Sequence, residues 1–93
     1  MRNHTVELMK ELRNAAELER KVAEKESVLL ERHIEKLSNE ICVMKFDSKP
    51  QEQIDEVMEI YDEACDSNDM AKKDAWRMES LVDFLDRLLQ IYE

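Results

Sequence analysis

Apolar side chains recur every seven residues from Val6 to Met44 and define the first element of the chain. One series runs through Met9, Ala16, Ala23, Leu30, Leu37 and Met44, and its partner positions are Val6, Arg13, Arg20, Ser27, Ile34 and Ile41. Alternating steps of three and four residues keep such a seam on one side of a helix, as in a coiled coil. No turn signal interrupts residues 5–45, so the spacing predicts one helix there, about 60 Å long at 1.5 Å per residue. Two arginines and a serine dilute the middle of the seam, where a second stripe of Leu8, Ala15, Val22 and Leu29 widens the apolar face.

The chain has no glycine and a single proline, which makes Pro50 the strongest breaker. Asp47 and Ser48 stand before it as capping candidates, and a proline suits a first helical turn, so a second helix is predicted over about 50–66. Asp66-Ser67-Asn68-Asp69 is a weaker second break, with Ser67 or Asn68 as an N-cap. Beyond it Ala71, Ala75, Met78, Val82, Leu85, Leu89 and Tyr92 repeat the seam pattern, broadened by Leu81, Phe84, Leu88 and Ile91, and predict a third helix over about 69–92.

The expected class is therefore all-α, a single helical domain over residues 1–93 with two competing packings. If the chain reverses at residues 66–69, it forms a three-helix bundle and leaves the apolar face of residues 6–29 uncovered. If the second and third helices are continuous, they pair with the first as a long helical hairpin and leave part of the wide third segment open. Either way exposed apolar stripes point to a coiled-coil-like homodimer or higher oligomer, with Met9, Leu12, Ala16, Ala23 and Leu30 expected at its interface.

Charge sharpens this picture. Charged residues are 40% of the chain and aromatics 5%, a disorder-like composition redeemed by the helical spacing of its apolar positions. The formal net charge is −9. Residues 1–46 carry nine basic and nine acidic side chains, whereas residues 47–93 carry five basic and fourteen acidic ones. From Pro50 to Asp69 there is no Lys or Arg, and seven carboxylates (Glu52, Asp55, Glu56, Glu59, Asp62, Glu63 and Asp66) fall on one arc of a helical wheel, roughly 80° to 200° from Ile54. Val57, Met58, Tyr61 and Cys65 fall on the arc around Ile54 itself. Such a surface repels nucleic-acid phosphates and anionic lipid and favours basic protein partners. No apolar run is long enough to span a bilayer, and the first ten residues lack the apolar core of a signal peptide. A cytoplasmic protein with Cys42 and Cys65 reduced and buried is expected.

The chemistry-bearing patterns are few. Asp55-Glu56-x-x-Glu59, followed after 23 intervening residues by Asp83-x-x-Asp86, loosely resembles the paired acidic motifs of the MazG-type all-α nucleotide pyrophosphohydrolases. That resemblance implies carboxylates turned into a bundle to hold magnesium, but Glu56 and Glu59 lie opposite the apolar face, as a solvated surface does. Asp66-Ser67-Asn68-Asp69 opens like a calcium loop, yet Met70, Ala71 and Arg77 occupy the positions that need a ligand, a glycine and the closing glutamate. His33, Asp62 and Cys65 come level in an antiparallel pairing, where a packed histidine touching a carboxylate is expected rather than a zinc site. No Ser/His/Asp array, glycine-rich phosphate loop or Cys-x-x-Cys is present. Arg13 and Arg20 suit ion pairs with glutamates across a dimer or, alternatively, a pocket for an anionic nucleotide in an oligomer. Trp76 and Tyr61 read as core or interface anchors.

The sequence thus predicts a non-enzymatic helical interaction protein without cofactor or metal, an inhibitor or regulator that sets its carboxylate face against the basic surface of a target protein. In composition the chain looks like phage-encoded inhibitors of host machinery, including anti-defence proteins that occupy nucleic-acid channels, which implies the host cytoplasm as its compartment. The alternatives are a self-assembling structural or adaptor coiled coil and the nucleotide-binding oligomer.

Overall fold

A computed structural model describes residues 3–92 of the chain. Two helices account for almost all of it: α1 is Asn3–Phe46 and α2 is Gln51–Tyr92, and no strand occurs among the described residues. The fold is all-α, but a three-helix bundle is not formed. The second break predicted at residues 66–69 does not exist, because Asp66, Ser67, Asn68 and Asp69 all lie inside α2.

The physical reason lies in the seam. Counted through the supposed break, Ile54, Val57, Tyr61, Ala64, Asn68, Ala71, Ala75 and Met78 keep an unbroken alternation of three- and four-residue steps. Asn68 occupies a seam position and is buried, and the Ser27 hydroxyl donates to its Oδ1 at 2.7 Å. A short polar side chain that would otherwise compete with the helix backbone instead finds its partner on the facing helix. The serine that dilutes the first helix's seam is that partner.

The turn between the helices is tight. Ser48 has a φ of 54°, in the left-handed region. Its amide donates to Lys45 O at 3.2 Å, and the Lys49 amide donates to Met44 O at 3.0 Å. This pair of bonds is the Schellman closure of α1, which satisfies carbonyls that the helix end leaves open. Asp47 and Ser48 therefore end α1 rather than cap α2. Pro50 precedes α2 and accepts its first bonds through its carbonyl, from the amides of Gln53 (3.0 Å) and Ile54 (3.2 Å). A glycine would occupy the Ser48 position without a Cβ clash. Ser48→Gly is expected to raise stability by about 0.5–1 kcal/mol, seen as a melting temperature several degrees higher. An unchanged or lower melt would contradict the strained geometry assigned to Ser48.

Contacts divide the chain into two units. Unit 1 joins residues 3–25 to residues 72–92, and unit 2 is Glu26–Ala71. In unit 1 the buried residues are Val6, Ala16 and Ala23 of α1 with Val82, Leu85 and Leu89 of α2. Alanines supply two of the three buried α1 positions, and small side chains in a seam let two helices pack closely. Unit 2 is a helical hairpin about the Ser48 turn, in which Met44, Ile54 and Ala71 are buried, as are Ser27 and Asn68. Leu30, Ile34, Leu37 and Ile41 are half-buried there, as are Val57 and Tyr61.

Candidate functional site

Ile54 fixes the rotation of the acidic part of α2. Its side chain is 4% exposed in the hairpin seam, and the seven carboxylates on the opposite arc are accordingly turned to solvent. Glu52, Asp55, Glu56, Glu59, Asp62, Glu63 and Asp66 are all exposed, as the helical wheel requires. Gln51 Nε2 donates to Asp55 Oδ1 at 2.8 Å, which settles the first turn of this face.

The units differ in charge more sharply than the two halves of the sequence do. Residues 3–25 and 72–92 hold nine basic and nine acidic side chains, so unit 1 is formally neutral. Residues 26–71 hold four basic and thirteen acidic side chains, so unit 2 carries a formal −9. The whole excess of negative charge belongs to the hairpin that presents the carboxylate face.

Beside that face lies an open groove of about 510 Å³, lined by Leu30, His33, Lys36, Leu37, Glu40, Ile60 and Ala64. It exists because Ala64 leaves room at the seam and Leu30 and Leu37 are only half covered. His33, expected to pack against a carboxylate, is exposed at this groove. Asp62 is exposed and Cys65 half-buried, and among the described residues no three His, Cys, Asp or Glu side chains gather as metal ligands. Both cysteines are free thiols, and Cys42, expected inside, is exposed. Tyr61 titrates above the ordinary phenol value, chiefly because its hydroxyl hydrogen-bonds Cys65, with the nearby Asp62 carboxylate adding to the rise.

Unit 1 uses its two seam arginines internally. Arg13 grips Asp86 of α2 with both Nε (2.9 Å) and Nη2 (3.5 Å), and this hydrogen-bonded pairing holds the guanidinium above its usual value. Arg20 donates to Glu17 and Glu24 of its own helix, the latter at 2.7 Å. The hydrogen bond from Arg20 lowers the Glu17 carboxyl below its ordinary value, and the same bond raises Arg20. An anion seeking these arginines would have to displace carboxylates already bound.

Of the residues expected to meet a second copy, Ala16 and Ala23 are buried within the chain itself, Met9 and Leu30 are half-buried, and Leu12 is 50% exposed. Trp76 is 68% exposed and is no part of the core, whereas Tyr61 is half-buried. Sequence spacing did not reveal the Ser27–Asn68 bond, although the unbroken seam count through Asn68 carried the signal. Nor did it separate the neutral unit from the acidic one, since that division follows contacts rather than chain order. Compared with known protein families, curated proteins and solved structures, the chain matches none.

Proposed function

We propose that this chain is a non-enzymatic helical interaction protein, an inhibitor or regulator that docks the carboxylate face of α2 on a basic surface of a target protein. The observation that carries the reading is the seven exposed carboxylates ranged along one face of a hairpin with a formal charge of −9. A surface of one sign steers an oppositely charged partner and rejects phosphate-rich or anionic lipid surfaces. A groove that normally holds nucleic acid presents the required basic lining, and an anti-defence inhibitor acting in a host cytoplasm is one protein of this kind. Among the described residues no helix is long and apolar enough to cross a membrane. The nucleotide-binding alternative is disfavoured because Arg13 and Arg20 are held by Asp86, Glu17 and Glu24. The adaptor alternative differs in what it needs: self-assembly alone, with the acidic face serving solubility.

Joint substitution of Glu56, Glu59 and Glu63 by Lys tests the proposal. All three side chains are exposed, so helicity should be retained. Proteins captured by the wild type should be lost from the variant, and raising salt should release them from the wild type, because charge pairs in water are screened beyond about 8 Å at physiological ionic strength. Capture that survives both the reversal and high salt would overturn the proposal.

A further inference from the structure

The Arg13–Asp86 contact marks one flank of the seam in unit 1. Lys10, Glu17 and Glu24 lie on that flank of α1, and Lys72, Glu79 and Asp86, seven residues apart, lie on the same flank of α2. Across the seam the residue types change. The opposite flank collects Leu8 and Leu12 from α1 with Leu81, Phe84, Leu88 and Ile91 from α2. Leu12 and Leu81 stand just outside the seam, at the positions that flank it in a coiled coil, and Leu8, Phe84 and Ile91 extend the surface outward. Leu8 and Leu12 are each 50% exposed, Phe84 52% and Ile91 70%. Contiguous apolar side chains from two packed helices form a patch, whereas singly scattered ones need no explanation.

We infer that this flank of unit 1 is the surface on which a second copy of the chain docks. Area is the first argument. The chain exposes 7231 Å², whereas a compact monomer of 11.1 kDa exposes about 5,700 Å². The excess over the whole chain, about 1,500 Å², exceeds the roughly 800 Å² that an ordinary stable interface removes from each partner. Charge is the second argument. Two copies of a chain with a net charge of −9 repel one another, but unit 1 has nine charges of each sign and can meet its copy without that repulsion. The interface so placed differs from the one expected from sequence: it keeps Leu12 and replaces the seam residues Met9, Ala16, Ala23 and Leu30 with Phe84, Leu88 and Ile91.

Sedimentation equilibrium on the full-length wild type and on the variants Leu12→Asp and Phe84→Asp tests this inference without reference to any target. The wild type should be a dimer at tens of micromolar, an ordinary range for associating proteins. Each variant should raise the dissociation constant about 30-fold or more, as loss of a central interface anchor does, while far-ultraviolet circular dichroism stays at the wild-type value. Glu35→Lys, at an exposed position of α1 in the acidic hairpin, serves as the control that leaves the dimer intact. A monomeric wild type would overturn the inference and assign the flank to a different partner. A dimer indifferent to both substitutions would also overturn it.

Discussion

Leu85→Asp is expected to abolish the folded state of unit 1. The Leu85 side chain is 4% exposed and is one of the buried apolar positions of unit 1, with Val6, Ala16, Ala23, Val82 and Leu89. An unpaired carboxylate in such a place costs several kcal/mol in desolvation, in addition to the lost apolar burial. Small domains hold a net stability of only about 5–15 kcal/mol, so a penalty of this size removes most of it. Circular dichroism should report a large loss of helix at room temperature. Leu30→Asp, at a half-buried position of unit 2, should lower the melt by less, and Phe84→Asp should leave the helical signal in place. Equal effects of all three would contradict the seam assigned here.

The helical class, the long first helix and the turn near Pro50 were all readable in the sequence, because each rests on local spacing and on one strong breaker. Even the carboxylate arc follows from residue order, since seven side chains on a regular helix have nowhere else to go once Ile54 is buried. What could not be read locally was long-range. Four residues that individually favour a turn, Asp66 to Asp69, stay helical because Asn68 bonds to Ser27, 41 positions away in the chain. The ion pair of Arg13 with Asp86 spans 73 positions, and without it the two flanks of unit 1 cannot be told apart. His33 was expected inside because it lies on the apolar side of α1, and Cys42 because a reduced cysteine behaves as a small hydrophobe, but a two-helix packing has too little depth to cover positions outside the seam.

The Ser27–Asn68 bond should reveal itself through a reversal of sign. Asn68→Leu leaves the buried Ser27 hydroxyl without its partner, which costs about 1–3 kcal/mol. For a chain of this length each kcal/mol corresponds to about 4–8 °C in melting temperature. Replacing both residues, as in Ser27→Ala with Asn68→Leu, restores an apolar layer with no polar atom to satisfy and should recover the loss or exceed the wild type. A thermal double-mutant cycle measures this directly. Losses that simply add would show that the hydroxyl and the amide are not coupled in the folded protein.

The proposed self-association surface and the proposed target surface fall in different units. A neutral unit with an apolar flank suits self-association, where a net charge would oppose contact, and an acidic hairpin suits a basic target, where the same charge assists it. Carbodiimide cross-linking of the complex with a captured target tests the proposed role of that hairpin most directly, because it joins only carboxylates and lysines already in contact. Mapped by mass spectrometry, the links should run from Glu56, Glu59, Asp62 and Glu63 to lysines of the target. Links that arise instead from Glu7, Glu11 or Asp83 of unit 1, with none from α2 between Glu52 and Asp66, would contradict it.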